Sequence, residues 1–288
     1  MHTDLTSHHR TIATNGIHLH AVEAGPEGGP LLILLHGFPE LWYSWHRQIA
    51  PLAAAGFHVV VPDQRGYNLS DKPKAISAYN LDTLARDVVG LIDEAGAEKA
   101  CVAGHDWGGA VAWWLGVKHP ERLEKLMLLN IPHPVVMKQA VRKDPAQRKK
   151  SSYFFFFQLP WLPERAFRKH HFARGVASLQ GSSRPGTFSE EDLDVYREAW
   201  SQPGEVRAMI NYYRASLRAQ PEPPASPRVR VPTLLLWGRQ DPFLGSEMAQ
   251  PSIDLCDDGR LVFVEEAGHF VQHEEPERVT REILGFFG

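Results

Sequence analysis

The chain has 288 residues, 43% hydrophobic and 23% charged, with a formal net charge of −3. That length suits one large α/β domain or a core with an insertion, and the near-neutral charge gives no general attraction to nucleic acid or an anionic membrane. Two scattered cysteines, Cys101 and Cys256, exclude a disulfide framework or metal knuckle, and no apolar run approaches the ~20 residues of a bilayer span.

The polar stretch 1–10 lacks the apolar centre of a signal peptide, so the expected location is cytoplasmic. Residues 11–14 and 17–22 flank Asn15-Gly16, a two-residue hairpin signal. The continuous apolar runs 31–35 and 57–61 predict strands buried on both faces. Residues 81–95 repeat apolar side chains at helical spacing (Leu84, Val88, Leu91, Ile92), with Asn80 as cap and Gly96 as stop. A strand at 100–103, a glycine-flanked turn, a helix at 109–118 and a strand at 125–129 follow. This alternation predicts a mostly parallel sheet with helices on both faces.

From 132 to 227 the strand pattern disappears, leaving helical stretches rich in aromatic and charged residues. Strands at 233–237 and 261–264 and a helix at 276–287 then resume the rhythm, after a stiff proline-rich link at 221–232. The expected division is a core of 1–131 and 228–288 with a helical cap of 132–227. Arg142, Lys143, Arg148, Lys149 and Lys150 read as a solvated face of a cap helix.

Chemistry enters at Gly104-His105-Asp106-Trp107-Gly108. A strand-to-helix turn with glycines two places either side of one residue is the context of a nucleophile elbow. The elbow residue here is Asp106, where serine is usual. A serine attacking a saturated carbon would leave an ether that water cannot cleave; a carboxylate leaves an alkyl ester, hydrolysable at its own carboxyl carbon. Asp106 therefore points to substitution at an sp³ carbon, with epoxides and alkyl halides as candidates. The base and orienting acid follow in the chain order acid, then histidine. Asp241 lies after the 233–237 strand and His269 after the 261–264 strand, so Asp106, Asp241 and His269 are the expected triad. His269 would activate water and Asp241 would fix its tautomer. Oxyanion donors are expected from the backbone of Trp107 and of Phe38, in His36-Gly37-Phe38-Pro39, with Pro39 a candidate for a cis bond.

These segments resemble the α/β-hydrolase superfamily over essentially the full chain, and within it the soluble epoxide hydrolases: His-Gly-Phe-Pro-Glu at 36–40, Asp-Gln-Arg-Gly-Tyr-Asn-Leu-Ser-Asp-Lys-Pro at 63–73 and Gly-His-Asp-Trp-Gly-Gly at 104–109. Asn68 stands where the second motif usually has glycine. The first and third motifs also occur, with variation, in dehalogenases. The resemblance implies an eight-stranded, mostly parallel sheet with an inserted helical cap, and two cap tyrosines that protonate the opening epoxide. Tyr213, in Asn-Tyr-Tyr-Arg at 211–214, and Tyr153, before the run of phenylalanines, match those positions. A haloalkane or haloacid dehalogenase using the same Asp106 is the rival reading. The residues after Asp106 offer no arginine for a haloacid carboxylate. A silent ligand-binding protein on this fold is the second rival.

Phe154–Phe157, Trp161, Trp42, Phe38 and Trp107 predict an aromatic-walled pocket in which most of the rings serve packing and one or two, Phe38 and Trp107 first, face a ligand; Phe38, Trp107, Phe154 and His36 are its expected lining, with Glu40 and His105 behind. The expected partners are a small apolar epoxide and water, without metal, organic cofactor, nucleic acid or membrane, in a monomer or homodimer.

Overall fold

Asn15 and Gly16 take φ of 44° and 77°, the positive pair that a type I′ hairpin turn requires. Across it β1 (His8–Thr14) and β2 (Ile17–Ala24) pair antiparallel. The computed structural model describes residues 7–288, so the first six residues of the polar N-terminal stretch lie outside it. The remaining strands are β3 (Leu31–Leu35), β4 (His58–Pro62), β5 (Ala100–His105), β6 (Leu123–Leu129), β7 (Thr233–Gly238) and β8 (Gly259–Val264). Among the described residues they form one eight-stranded sheet in the order β1-β2-β4-β3-β5-β6-β7-β8. β2 meets β4 antiparallel, and every later pairing is parallel.

Every residue of β3, β4, β5 and β7 is buried, as continuous apolar runs require when helices cover both faces. Helices Leu81–Glu94 and Asp106–Lys118 contribute to the core on one face, and His46–Ala54 and Pro276–Phe287 to the core on the other. In the first helix the Asn80 side chain accepts the Thr83 N–H, while Leu84, Val88, Leu91 and Ile92 are buried. Burial contributes about 1.5–3 kcal/mol for each such side chain, against about 1 kcal/mol for the cap. Packing holds this helix; the cap fixes where it starts.

Between β6 and β7 the chain builds six helices: Pro134–Lys143, Pro145–Lys150, Tyr153–Phe156, Leu162–Gly181, Glu190–Trp200 and Glu205–Arg218. Ser189 and Asp192 form a capping box at the fifth. The insertion is seated on the sheet by buried polar contacts. The Trp200 indole donates to the Pro39 carbonyl at 2.7 Å, and the Tyr212 hydroxyl donates to the Arg65 carbonyl at 2.8 Å. The fourth helix departs from the helical pattern. His170, His171 and Phe172 take left-handed φ of 52°, 53° and 62°, splitting it in two.

Candidate active site

β5 runs into helix Asp106–Lys118 with no intervening loop, and Asp106 sits at the junction with φ of 48°. The helix starts three residues earlier than the expected 109. Gly108 and Gly109 are poor helix formers, yet close approach demands them. A Cβ on Gly108 would lie 2.4 Å from the His36 carbonyl oxygen, and one on Gly104 2.5 Å from the Gly108 carbonyl oxygen. The elbow is therefore a left-handed carboxylate residue on a strand-to-helix turn so tight that only glycine fits on either side of it.

Asp106 is 8% exposed. Its Oδ1 accepts the Phe38 backbone N–H at 2.9 Å, and its Oδ2 lies 3.7 Å from His269 Nε2. His269 Nδ1 donates to Asp241 Oδ2 at 2.7 Å. Asp241 is held by three further donors: the N–H groups of Phe243 (2.8 Å) and Leu244 (2.9 Å) on Oδ1, and Asn130 Nδ2 (2.9 Å) on Oδ2. Asp106, Asp241 and His269 thus converge as the chain order led one to expect, from the ends of β5, β7 and β8. Burial would raise the Asp241 carboxyl, but the charge and hydrogen bond of His269 outweigh it and hold the carboxyl below its ordinary range. His269 responds in the opposite sense. Burial lowers it, yet Asp241, and then Asp106, raise it to about 9.

The Phe38-Pro39 peptide is cis, and Gly37 lets this loop lie against Asp106. A Cβ there would sit 2.6 Å from that of Asp106. His36 does not line a pocket as expected. It is fully buried, its Nδ1 donates to the Gly37 carbonyl at 2.9 Å and its Nε2 accepts the Gln64 N–H at 3.0 Å. Both ring nitrogens are spent on shaping the loop. Asn68, the departure from glycine, takes φ of 43° and donates to Asp63 Oδ2 at 2.8 Å; asparagine is among the few side chains that tolerate that backbone.

The helical insertion closes over these groups with aromatic rings. Tyr213 packs edge-on to Phe38, Trp107 and Phe154 at centroid distances of 5.1, 5.1 and 4.8 Å, and the Tyr153 ring is 5.7 Å away. Phe243 contacts both the Tyr153 and His269 rings. Burial pushes both phenols well above their ordinary range, with the Asp106 charge acting in the same direction. The structure thus gathers Phe38, Trp107, Phe154, Tyr153 and Tyr213 around Asp106. It does not gather the whole expected wall. Phe155 and Trp161 are 57% and 66% exposed, and Trp42 packs instead on Tyr43 and His9.

Behind the site lies a buried polar cluster that the sequence only hinted at. His105 Nδ1 bonds Glu40 Oε2 at 2.9 Å and its Nε2 faces the His269 carbonyl at 2.8 Å. Glu40 also accepts from His273 Nε2 at 2.9 Å and from Gln272 Nε2 at 3.2 Å. Burial would raise the Glu40 carboxyl, but the hydrogen bonds and charge of His105 and His273 hold it well below its ordinary value. Through His105, this anion fixes the backbone that carries His269. Asn130 was missed altogether; its left-handed φ of 46° at the end of β6 aims its amide at Asp241 and at the carbonyls of Gly238 and Gly268. Among the described residues no cluster of His, Cys, Asp or Glu is arranged to hold a metal.

The α/β-hydrolase fold family matches residues 30–276. The chain is 49% identical over 279 residues to the AB hydrolase superfamily protein YfhM of Bacillus subtilis, covering 96% of each. It is 39% identical over 284 residues to human epoxide hydrolase 4, covering 96% of this chain and 77% of that one. Among solved structures, a mutant epoxide hydrolase from Bacillus megaterium, complexed with its product (R)-3-[1]naphthyloxy-propane-1,2-diol, superposes with a TM-score of 0.86 at 29% identity, over 96% of this chain and 99% of that one. The eight-stranded sheet, its helical insertion and these relatives together show that this chain belongs to the α/β-hydrolase family, in the group of epoxide-hydrolase-like enzymes.

Proposed function

We propose that the protein hydrolyses epoxides to vicinal diols through an alkyl ester on Asp106. The observation that carries this reading is a carboxylate at the elbow beneath an aromatic cluster that includes two phenols, Tyr213 buried and Tyr153 partly buried. The division of labour is a core of 1–131 and 228–288 that supplies nucleophile and base, and a cap of 132–227 that supplies the acids.

Asp106 Oδ2, free of the hydrogen bond that occupies Oδ1, attacks one ring carbon. The carbon–oxygen bond breaks, and the ring oxygen takes a proton from Tyr153 or Tyr213. An alkoxide's conjugate acid lies far above neutral pH, so opening needs an O–H donor; the raised phenols remain protonated and able to give one. A departing halide needs no proton, which is why paired phenols favour the epoxide over the haloalkane.

Esterification removes the negative charge of Asp106. That charge is part of what raises His269, so its imidazole becomes more readily deprotonated when a base is wanted. His269 then takes a proton from water, which attacks the Asp106 carboxyl carbon. The resulting oxyanion is stabilised by the N–H of Phe38, already on Oδ1, and that of Trp107. Collapse expels the diol oxygen, which takes the proton from the His269 imidazolium, and the proton left on the Asp106 carboxyl passes through water to the phenolate, so carboxylate, imidazole and phenol are all restored. Asp241 stabilises the imidazolium throughout.

The aromatic wall suits an apolar, aryl-bearing epoxide, in keeping with the naphthyloxy diol of the Bacillus megaterium enzyme. Side-by-side product analysis tests the assignment. Styrene oxide should give phenylethanediol and a bromoalkane should release no bromide; bromide without diol would replace this reading with the dehalogenase.

A further inference from the structure

The net charge of −3 hides a strong asymmetry. Residues 138–174 contain ten lysines and arginines and only two acids, Asp144 and Glu164. Both acids are used internally, Asp144 as the cap of helix Pro145–Lys150 and Glu164 against buried Arg214 at 2.6 Å. All ten cations are exposed, and among the described residues none of them forms an ion pair. Helix dipoles account for some of them: Arg148, Lys149 and Lys150 occupy the last turn of their helix. They do not account for Arg165 and Arg168, which lie on the exposed face of the next long helix while Glu164 and Phe167 face inward.

The same stretch carries large apolar side chains into solvent. Trp161 and Phe155 are joined by Leu159 (44% exposed) and Leu162 (41%). Their outward direction is built in. Arg214 binds the Phe157 carbonyl at 3.1 Å and the Leu159 carbonyl at 2.6 Å from the inner side, and Arg218 binds the Gln158 carbonyl. Trp161 itself takes a left-handed φ of 50°, a costly backbone for a bulky residue. A solvated charged surface gains nothing from an indole held outward beside unpaired cations.

We propose that this stretch of the helical insertion docks peripherally on an anionic lipid surface, with Trp161, Phe155, Leu159 and Leu162 entering the interface and the exposed lysines and arginines of the same stretch meeting the headgroups. Indoles favour the headgroup level of a bilayer, and basic side chains add to binding in proportion to their number near an anionic leaflet. No helix is long and apolar enough to cross a membrane, so the contact is superficial. The short helix Tyr153–Phe156 and the loop after it link this face to the site: Phe155 points out, while Tyr153, Phe154 and Phe157 pack around Tyr213. An apolar substrate dissolved in lipid would meet the protein at the segment that lines its site. The docking itself goes beyond the epoxide assignment and does not depend on it.

The test is co-sedimentation of the full chain with vesicles of phosphatidylcholine alone and of phosphatidylcholine mixed with phosphatidylglycerol, at low and high salt. The protein should pellet with the mixed vesicles only and should be released by salt, as screening shortens the reach of the cations. Trp161→Ser with Phe155→Ser, and separately Lys149→Glu with Lys150→Glu, should each weaken binding about tenfold or more, with thermal midpoint and turnover of a water-soluble epoxide unchanged. Equal binding to both vesicles, no binding, or binding untouched by both pairs would overturn the proposal. So would capture of an oligonucleotide without vesicle binding, which would hand the basic face to nucleic acid. A soluble dimer broken by the Trp161 and Phe155 pair would hand the apolar face to a second copy. Because the readout is sedimentation, its failure leaves the diol assay untouched, and the reverse.

Discussion

The sheet side of the site holds Asp106, Asp241 and His269 by hydrogen bonds of 2.7–2.9 Å to backbone amides, to the Asn130 side chain and between Asp241 and His269. The helical side holds Tyr153 and Tyr213 chiefly between aromatic rings at centroid distances near 5 Å. The first arrangement is directional and tolerates little displacement. The second rests on packed edge-on rings, which constrain each phenol more loosely than a hydrogen bond does. The difference suggests that chemistry is fixed by the polar wall and substrate range by the aromatic one.

Substitutions on the two walls should therefore fail in different ways. On the proposed mechanism, His269→Gln removes the general base after the ester has formed. Diol production should fall by about 10²–10⁴, while a stoichiometric mass increment appears on the peptide containing Asp106; lost turnover without that increment would show that His269 serves the first step as well. Tyr153→Phe and Tyr213→Phe should each slow ring opening, by about 10²-fold for the first proton donor lost, and the double variant should form no ester at all. Single-turnover kinetics separate this from the His269 defect.

The cluster behind the polar wall has a stability signature. Glu40→Gln leaves His105 and His273 without their anion and should cost about 3 kcal/mol. Glu40's carboxyl is lowered from 4.5 in the folded state, so its contribution is complete above that pH and is lost as the pH falls through the lowered value. The gap in thermal midpoint between wild type and Glu40→Gln should accordingly narrow on acidification below 4.5. A gap independent of pH would mean that shape, not charge, is what Glu40 supplies. The smallest effect belongs to the insertion's own scaffold: Ser189→Ala breaks the capping box and should cost about 1 kcal/mol with ring opening unaltered.

The same division runs through what the sequence revealed. Asp106, Asp241 and His269 each follow a strand whose buried apolar run is plain, and parallel strands deliver their C-terminal ends to one edge of the sheet. Asn80 and Gly96 marked a helix, and Asn15-Gly16 a hairpin, because each residue type answers a specific backbone need. Asn130 carried a weaker signal of the same kind, an asparagine directly after a strand, where a left-handed backbone can turn its side chain back toward the site. Gln272 and His273 were hidden because nothing local shows that a four-residue helix will face Glu40, 232 and 233 positions away. In the insertion, four consecutive phenylalanines have no periodicity to say which ring faces inward, so the sequence does not show that Phe155 and Trp161 stand in solvent rather than packing with the others. The left-handed break at 170–172 has no glycine to announce it.

The most direct measurement of the central claim is a single turnover with excess enzyme in ¹⁸O-labelled water. If Asp106 forms the ester and water attacks its carboxyl carbon, the label enters the Asp106 side chain and the first diol carries unlabelled oxygen from that carboxylate. Label in the first diol with none in Asp106 would mean that water attacks the epoxide directly, and the role given to this carboxylate would be wrong.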